Sequence, residues 1–315
     1  MSEPSPAPPF ASVDAAIEAL DRAGYIADRE LSVVAYLAGA LGKPLLLEGP
    51  AGVGKTELAK AVARASGREL VRLQCYEGLD EAKALYEWEY GKQLLYTQLV
   101  RDSLGAIVAG ARDVRDAVDR VAKEESAFFH ERFLLARPLL RAVRSESPVV
   151  LLIDEVDRSD PEFEALLLEL LSDFQVTVPE LGTMRARAVP YVVLTSNATR
   201  EMTDALRRRC LHVYIDYPTG PRELAIVRHH VPEAAEKLAR EVVSVVQAVR
   251  KLELRKAPSV SESIDWARAL VLLGADALDA TTMRETLGAL AKHREDAARI
   301  SESLPQLMRE KEKAS

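Results

Sequence analysis

The sequence predicts an α/β protein in which a doubly wound parallel sheet is followed by a domain built of helices alone. Three observations carry this prediction. Short apolar runs alternate with helical patterns, the runs stop after residue 215, and a glycine-rich loop joins the first run to a helix. Uninterrupted apolar runs are typical of parallel strands covered on both faces, and their alternation with helices favours a doubly wound sheet.

The N-terminal part of the chain has two helical patterns, over residues 13–20 and 28–41, before any strand. The apolar runs that follow predict strands, because each is short and is bounded by polar or turn-forming residues. The predicted strands are residues 45–47, 70–73, 149–153, 191–195 and 211–215. The strand over 149–153 has no polar residue, which indicates a central position in the sheet.

Three segments between the strands have patterns of their own. An apolar stripe at helical spacing predicts a helix over residues 161–173. Residues 174–178 and 185–188 predict a hairpin with Gly182 in its turn. Residues 102–144 form a long stretch that is rich in alanine and charged residues and mostly helical in pattern, and the sequence assigns them no specific role.

Composition and strand content divide the chain into three parts. Residues 1–12 are rich in proline and serine and are predicted to form a disordered tail. Residues 13–218 hold all the predicted strands and form the α/β core. Residues 219–315 show helical patterns only, so we expect a helical domain, in which the charged end over residues 299–315 frays.

The composition is that of an ordinary soluble protein of 315 residues, with 48% hydrophobic and 29% charged residues. A formal net charge of −7 argues against a surface for non-specific nucleic-acid binding, although a local basic channel is compatible with it. We expect no signal peptide and no membrane span. Cys75 and Cys210 lack metal-ligand spacing and fit a reducing compartment, so we expect a cytoplasmic protein.

The glycine-rich loop matches the pattern G-x-x-x-x-G-K-[S/T] of nucleotide triphosphatases. Its position between a strand and a helix suits phosphate binding, because backbone N–H groups and the positive end of the helix meet there. The predicted nucleotide-binding residues are Gly49, Pro50, Ala51, Gly52, Val53, Gly54, Lys55, Thr56 and Glu57. Lys55 would reach the β- and γ-phosphates of ATP, and Thr56 would ligate Mg²⁺.

Polar residues at the ends of two later strands complete the predicted site. Asp154 and Glu155 directly follow an apolar strand. Asp154 would hold the Mg²⁺ ion with its water shell, together with Thr56, and Glu155 would polarise an attacking water. Asn197 follows the next strand, from which its amide can bond the γ-phosphate or position the water.

Three consecutive arginines, Arg207, Arg208 and Arg209, end a short helix before the last predicted strand. Two interpretations are open. The arginines form a solvated basic face, or one of them binds the γ-phosphate of a neighbouring subunit and stabilises charge in the transition state. The second interpretation requires that several subunits assemble into a ring.

Together these motifs resemble those of the AAA+ ATPases, and within them the MoxR-type group. The resemblance covers nearly the whole chain after the N-terminal tail. It is carried by residues 47–57, 153–155, 195–197 and 207–210. Residues 72–80, followed by 84–88, are similar to the MoxR subgroup associated with maturation of molybdenum-containing carbon monoxide dehydrogenase and related hydroxylases.

The resemblance implies a P-loop AAA+ core with a C-terminal helical lid domain, and it gives each motif a role. The implied roles are Walker A for Lys55 and Thr56, Walker B for Asp154 and Glu155, and sensor 1 for Asn197. The arginine finger that enters a neighbouring site would be Arg208 or Arg209. Arg209 fits better, because it directly precedes Cys210.

Two excursions of the chain correspond to inserts that, in this family, face the pore of the ring and touch the client or partner. They are the segment after Leu79, which is an insert in helix 2, and the hairpin at residues 179–183 before sensor 1. Surface decoration is the alternative for both. The family often has a sensor 2 arginine early in a lid helix, but the corresponding residues 257–263 contain none, which leaves Arg268 as a substitute.

The implied function is that of a chaperone-like ring motor, a hexamer, that hydrolyses Mg-ATP to remodel or activate a client protein. The family also suggests a partner with a von Willebrand factor A domain and a client metalloenzyme that is being matured. Two alternatives use the same chemistry: a nucleic-acid motor or loader, and a nucleotide-gated assembly switch. The acidic charge balance argues against the first, and the presence of Glu155 and the three arginines against the second.

Overall fold

The computed structural model describes residues 7–99, 113, 115, 133–179 and 181–312. The strands there are β1 (Leu45–Glu48), β2 (Leu70–Gln74), β3 (Tyr86–Trp88), β4 (Leu134–Ala136), β5 (Val150–Asp154), β6 (Gln175–Val178), β7 (Gly182–Arg185), β8 (Tyr191–Ser196) and β9 (Leu211–Tyr214). Five of them form one parallel sheet in the order β2-β5-β8-β1-β9. This sheet contains every predicted strand and confirms the predicted fold class.

Helices cover both faces of this sheet and continue beyond it. They are α1 (Val13–Arg22), α2 (Arg29–Leu41), α3 (Lys55–Ser66), α4 (Glu81–Ala84), α5 (Tyr90–Leu99), α6 (Pro138–Arg144), α7 (Pro161–Asp173), α8 (Asp204–Arg209), α9 (Gly220–His230), α10 (Glu236–Val249), α11 (Val260–Leu272), α12 (Ala280–Leu290), α13 (Arg294–Glu302) and α14 (Leu304–Glu312). Leu45 and Leu47 of β1 pack with α1, α2 and α3, whereas Leu46 packs with α6, α7 and α8. Adjacent strand residues therefore enter opposite halves of the core.

The register of the parallel strands brings their carboxyl ends to one edge of the sheet. Glu48 at the end of β1 is aligned with Ser196 at the end of β8, and Gln74 at the end of β2 is aligned with Asp154 at the end of β5. The residues that follow β1, β5 and β8 are those in which the sequence predicts a site. Ligands of doubly wound sheets bind at this carboxyl edge.

The segment after Leu79 forms α4, β3 and α5, and β3 pairs antiparallel with β4. Most of the predicted helical stretch 102–144 lies outside the described residues, and its last part forms β4 and α6. The hairpin is β6 and β7, but its boundaries differ from the prediction. Gly182 pairs with Val178, so it begins the second strand instead of lying in the turn, and the cross-strand pairing ends at Arg185.

Residues 220–312 contain helices and no strand wherever the structure describes them. Their core includes the fully buried Trp266, whose indole N–H donates a 2.8 Å hydrogen bond to Thr286 Oγ1. The prediction that residues 299–315 fray is wrong up to residue 312. Leu304 and Leu307 are buried in the same core, and the largely buried Lys311 forms a 3.4 Å ion pair with Glu241 of α10, which fixes the end of α14.

The predicted disordered tail, residues 1–12, is too long at its C-terminal end. Residues 1–6 lie outside the described part, but Phe10 is only 4% exposed and packs in the core beside α1 and α2. Ser12 caps α1, since its hydroxyl accepts a 3.1 Å hydrogen bond from the N–H of Ala15. Among the described helices, none combines the length and the apolar character needed to cross a bilayer.

Candidate nucleotide site

The glycine-rich loop, residues 49–54, connects β1 to α3 and requires glycine at two positions. Gly49 has φ +146° and Gly52 has φ +76°, which residues with side chains rarely adopt. A Cβ on Gly49 would lie 2.0 Å from the carbonyl oxygen of Ile215, and a Cβ on Gly52 would lie 2.2 Å from Oγ of Ser259. The loop is therefore packed closely against the residue after β9 and against the cap of α11.

A polar cleft opens above this loop, and we call it the phosphate cleft. It is lined by Ala51, Gly52, Gly54, Lys55, Thr56, Glu57, Lys60, Asp154, Glu155, Thr195, Asn197 and Ser261. Of the other predicted loop residues, Gly49 and Pro50 contribute carbonyl oxygens, and Val53 is buried beside a second cleft. Glu57 is paired with Lys60 and with Arg64 on α3.

Lys55 is the first residue of α3 and is almost completely buried. Its ammonium group donates hydrogen bonds of 2.7 Å to the carbonyl oxygens of Gly49 and Pro50, and one of 2.9 Å to Asn197 Oδ1. Burial lowers the pKa of Lys55, and the carboxylates of Asp157 and Asp154 partly oppose this effect. The three acceptors hold a cation at the point where the loop, α3 and the end of β8 meet.

Asp154 lies at the end of β5 and is buried, with 3% of its surface exposed. One carboxylate oxygen accepts hydrogen bonds from Thr56 Oγ1 at 2.9 Å and from Thr195 Oγ1 at 2.6 Å. The other accepts a 2.6 Å hydrogen bond from Arg72 on β2. These three donors satisfy both carboxylate oxygens and fix their orientation. The contacts of Arg72 and Thr195 with Asp154 could not be predicted, because they depend on strand neighbours distant in the chain.

The backbone at Glu155 is left-handed, with φ 56° and ψ 50°, which is uncommon for a residue other than glycine. Its N–H donates a 2.9 Å hydrogen bond to Thr195 Oγ1, which fixes the turn after β5. The carboxylate reaches the edge of the phosphate cleft and forms a 2.9 Å ion pair with Arg158 one turn further along. Backbone strain of this kind is common at functional sites.

Asn197 is held in place by Asp157, a residue that the sequence did not single out. One oxygen of the buried Asp157 accepts a 3.2 Å hydrogen bond from the N–H of Asn197. The other accepts hydrogen bonds from Thr199, at 3.0 Å from its N–H and 2.6 Å from its hydroxyl. Burial raises the pKa of Asp157, but these donors outweigh it and the net pKa is lowered. An ionised Asp157 thus fixes the loop that presents the Asn197 amide.

Thr56 and Asp154 have the donor set that Mg²⁺ prefers. Their oxygens lie 2.9 Å apart on the wall of the phosphate cleft, and hard oxygen ligands with additional water are typical of magnesium sites. The described residues hold no cluster of three or more His, Cys, Asp or Glu suited to a metal. A site completed by water and substrate phosphate is therefore the kind that these residues fit.

A second cleft adjoins the phosphate cleft, and we call it the base cleft. It is lined mainly by apolar groups, which include Tyr25, Ile26, Val53, Ile215, Pro218, Ile226, Val260 and Ile264. Arg222, paired with Asp28, and His230 add polar groups to its wall. Burial, together with the neighbouring His229 and Arg268, lowers the pKa of His230. The sequence offered no motif for this cleft, because its wall comes from segments far apart in the chain.

The helices that close the base cleft are tied together by one buried carboxylate. Glu223 of α9 is fully buried and accepts two 2.7 Å hydrogen bonds from Arg250, directly after α10, and one of 2.6 Å from Ser263 of α11. Arg250 also donates to the carbonyl oxygen of Pro258 and stacks over the ring of Tyr217. This network fixes the start of α11 relative to the segment that leaves the sheet.

The predicted position of sensor 2, residues 257–263, forms the start of α11. Ser259 caps the helix together with Glu262, and Ser261 lines the phosphate cleft. Arg268, the substitute suggested by the sequence, does not line either cleft and donates instead to the carbonyl oxygen of His230. Helices α9 to α14 thus bring a serine hydroxyl and no arginine to the phosphate cleft as described.

The three arginines at the end of α8 have different surroundings. Arg207 forms a 2.6 Å ion pair with Glu48, the last residue of β1. Arg208 and Arg209 are exposed, and neither forms an ion pair with another of the described residues. None of the three lines the phosphate cleft of its own chain.

Comparison with known families agrees with this geometry. The sequence model of a family described as "ATPase family associated with various cellular activities (AAA)" matches residues 45–217. The match begins with β1 and ends after β9, so it contains the whole parallel sheet and all the residues on which the predicted site depends. It covers more than half of the chain.

Two curated proteins illustrate the relatives of this chain. Gas vesicle ATPase GvpN1 of Halobacterium salinarum is 26% identical over 236 residues, which are 67% of this chain and 57% of that protein. The chain thus spans little more than half the length of that relative. Denitrification regulatory protein NirQ of Pseudomonas aeruginosa is 25% identical over 247 residues, 76% of this chain and 78% of that protein.

Among solved structures, the Thermotoga maritima RuvB Holliday junction branch migration motor aligns with 93% of this chain and 76% of its own. The sequence identity is 15% and the TM-score is 0.46.

Proposed function

Because this chain belongs to the AAA family of ATPases, we propose that it hydrolyses ATP with Mg²⁺ and works as a ring-shaped motor that remodels a client protein. One observation carries the proposal. The phosphate cleft brings together a buried lysine, a threonine and an aspartate within hydrogen-bond distance, a strained glutamate and a fixed asparagine. These are the groups needed to bind a triphosphate and to direct water at it.

Lys55 and the loop bind the phosphates. The ammonium group of Lys55 exchanges the carbonyl oxygens of Gly49 and Pro50 for the β- and γ-phosphates, to which it is bound more strongly because they are charged. Thr56 and Asp154 would hold Mg²⁺, whose chemistry when bound is to neutralise charge on the phosphate oxygens. Arg72 and Thr195 donate hydrogen bonds to Asp154 and orient its carboxylate for this task.

Glu155 and Asn197 position the water that attacks the γ-phosphate. Glu155 reaches the edge of the cleft from its left-handed turn and accepts a proton from that water as its oxygen attacks the phosphorus. In the described state its carboxylate is paired with Arg158, so this pair must open before catalysis. Asn197, fixed by Asp157, orients the water or the γ-phosphate from the opposite side.

The exposed arginines of α8 act on the neighbouring subunit. Arg209, or Arg208, contacts the γ-phosphate of the ATP bound to the neighbouring subunit. It stabilises the charge that develops as the bond between the γ-phosphorus and the oxygen of the leaving ADP breaks. Neither arginine has a partner charge among the described residues of its own chain, which supports this role. The site is then complete only in an assembly, and we propose a hexameric ring.

The helical part of the chain serves as a lid. We propose that residues 13–218 form the core and residues 219–315 the lid, with the base of ATP held between them in the base cleft. Gly52 is packed against Ser259, so a shift of the loop on hydrolysis is transmitted directly to α11. Movement of the lid would then displace the segment after Leu79 and the β6–β7 hairpin, which we propose face the pore and the client.

The client proposal is more specific. We propose a cytoplasmic protein of the MoxR type that matures or activates a metalloenzyme, with a von Willebrand factor A domain protein as partner. The run of residues 72–80 and 84–88 supports the subgroup linked to molybdenum-containing carbon monoxide dehydrogenase. A relative named as a denitrification regulatory protein is compatible with work on a metabolic enzyme system.

The test is ATP turnover per subunit against protein concentration, with the assembly state measured in the same samples. We expect turnover per subunit to rise as rings form. Arg209→Ala should still assemble but should lose about 1,000-fold or more in turnover, the usual contribution of an arginine finger. Arg294→Ala, which changes an exposed arginine on α13, is the control and should behave as wild type.

Other outcomes would favour other functions. Turnover per subunit that is independent of concentration, together with normal Arg208→Ala and Arg209→Ala variants, would rule out the shared-site ring. ATP binding without steady-state turnover by the assembled protein would indicate the nucleotide-gated switch. A salt-dependent shift of long DNA would indicate the nucleic-acid motor instead.

A further inference from the structure

We propose that Glu48 is a positioning residue for the arginines that act on the neighbouring subunit. Glu48 and Arg207, which we call the Glu48–Arg207 clamp, tie helix α8 to the residue directly before the phosphate-binding loop. The proposal rests on the function proposed above, because it requires that Arg208 or Arg209 works in a neighbouring site. It assigns to Glu48 a task that the site chemistry of its own subunit does not need.

Glu48 lies between the parallel sheet and the phosphate-binding loop. It is the last residue of β1, and Gly49, whose carbonyl oxygen accepts a hydrogen bond from Lys55, follows it directly. Its own carbonyl oxygen accepts a 2.7 Å hydrogen bond from the N–H of Ile215 after β9. The Glu48 backbone is therefore fixed by the sheet on one side and continues into the nucleotide loop on the other.

The carboxylate of Glu48 bridges two further elements. One oxygen accepts a 2.6 Å hydrogen bond from Arg207 of α8 and also contacts Nε2 of His212 of β9. The side chain of Glu48 is 11% exposed. A carboxylate so little exposed is normally paired, because an isolated charge there would be costly. Arg207 supplies that pairing from the helix that carries Arg208 and Arg209.

Helix α8 is short, and the ion pair of Arg207 is one of several contacts that hold it. It is six residues long, and its buried Leu206 packs in the core. At its start the N–H of Thr203 donates a 2.8 Å hydrogen bond to Glu164. After its end the N–H of Leu211 donates a 2.8 Å hydrogen bond to the carbonyl oxygen of Pro44, which holds β9 to the sheet. Arg208 and Arg209 lie between this attachment and Arg207, so the ion pair with Glu48 helps to set the end of α8 from which they project.

The clamp therefore connects two nucleotide sites. In one subunit the phosphate-binding loop begins directly after Glu48, which holds α8 through Arg207. Helix α8 in turn presents Arg208 and Arg209 to the next subunit. A small error in the position of the arginine finger lowers the rate strongly, since a displacement of about 1 Å can reduce a rate roughly 100-fold. Breaking the clamp should consequently lower turnover while the subunit still binds its own ATP.

A double-mutant cycle on the full-length assembled protein tests this. The variants are Glu48→Gln, Arg209→Ala and the combination of the two, with kcat and the affinity for ATP measured for each. We expect Glu48→Gln to lower kcat about tenfold, with no change in ATP affinity or in assembly. If Glu48 acts only through the finger, Glu48→Gln should cause no further loss of kcat once Arg209 is absent.

Matched variants separate positioning from folding. Arg207→Gln changes the exposed partner of the clamp and should reproduce the loss in kcat with only a small drop in melting temperature, because Nε2 of His212 still contacts the Glu48 carboxylate. Arg207→Lys should restore part of the kcat. Glu69→Gln and Arg141→Gln change an ion pair elsewhere on the core, in which both side chains are exposed, and should leave kcat as in wild type. If Glu48→Gln does not fold, the Arg207 variants still decide the question.

Three results would overturn the proposal, and they are distinguishable. If Glu48→Gln and Arg207→Gln have the wild-type kcat while Arg209→Ala shows a strong loss, the positioning role of the clamp is ruled out and the proposed ring motor stands. Independent losses that multiply in the double variant show that Glu48 acts in its own site. Wild-type kcat for both Arg208→Ala and Arg209→Ala removes the shared-site mechanism itself, and the clamp with it.

Discussion

The two clefts that meet at the glycine-rich loop, which we propose bind the two ends of a nucleotide, are built by different means. The phosphate cleft is polar, and its key side chains come from short stretches directly after β1, β5 and β8. The base cleft is mainly apolar, and its wall combines residues before α2, after β9 and on α9 and α11. Charge and hydrogen bonds dominate the first cleft, whereas shape and burial dominate the second.

This difference explains why substitutions in the two clefts should have different consequences. A charged group in the phosphate cleft contacts the part of the ligand that reacts, so its loss changes binding or chemistry strongly. An apolar group in the base cleft contacts a part that does not react. It contributes equally to substrate and transition state, so its loss weakens binding and leaves the chemical step unchanged.

Among effects on ATP affinity, the largest is expected for Lys55→Ala. This change removes the buried cation that is held beside the loop carbonyl oxygens and Asn197. We expect ATP affinity to fall by about 100-fold, the value of two charge-assisted hydrogen bonds at the lower end of their range. Titration calorimetry with ATP measures it, with the exposed Lys43→Ala as control. Equal affinity in the two variants would contradict the assignment of the phosphate cleft.

Glu155→Gln should separate binding from chemistry within the phosphate cleft. The amide cannot accept a proton from the attacking water, so kcat should fall by about 100-fold to 10,000-fold while ATP affinity is kept. Phosphate release in steady state and nucleotide binding are measured on the same preparation. Glu162→Gln on the exposed side of α7 is the control. Wild-type turnover by Glu155→Gln would exclude the water-activating role.

Ile226→Ala tests the base cleft. The change removes apolar surface that would cover the base, at about 0.8 kcal/mol for each buried methylene, so KM for ATP should rise by about tenfold. The kcat value at saturating ATP should stay as in wild type, in contrast to the effect of Glu155→Gln. Leu272→Ala, which truncates a side chain that is almost fully exposed, is the control. A loss in kcat with an unchanged KM would contradict the proposed difference between the two clefts.

The smallest effect concerns His230 and pH. The pKa of His230 is lowered by burial, by His229 and by Arg268, with Glu57 opposing them, so the unfolded chain binds a proton more readily than the folded one. The free energy of unfolding should therefore fall as pH drops from about 6.5 through the lowered pKa. Melting temperatures of wild type and His230→Gln should differ by a constant amount above this range and separate below it, where the wild type loses stability by protonation of His230 and the variant does not. Parallel curves would contradict the shift.

The positions of the phosphate-cleft residues were predictable because local sequence dictates them. A glycine loop after an apolar strand, and acids or an amide at later strand ends, must meet at the carboxyl edge of a parallel sheet, and Lys55, Thr56, Asp154 and Asn197 do so. The predictions of a disordered tail and of a frayed C-terminus were wrong for Phe10, Leu304 and Leu307, which are buried. Composition does not show what an apolar side chain packs against.

Asp157, Arg72 and the base cleft could not be predicted from the sequence. Asp157 follows the acid pair like any solvated residue, and only the turn after β8 makes it the acceptor that holds Asn197. Arg72 on β2 meets Asp154 through strand pairing. The wall of the base cleft exists only once α9 and α11 pack over the sheet.

The sequence by itself determined the parallel sheet, the phosphate-binding loop and the residue types of the chemistry, because these depend on short-range patterns of glycine, apolar runs and strand-end polar residues. The tertiary structure alone decided which groups support them: Arg72 and Thr195 on Asp154, Asp157 on Asn197, and Glu48 on Arg207. The reason is physical. Ionised groups with little exposure need partners, and strand register and helix packing bring those partners together from distant positions in the chain.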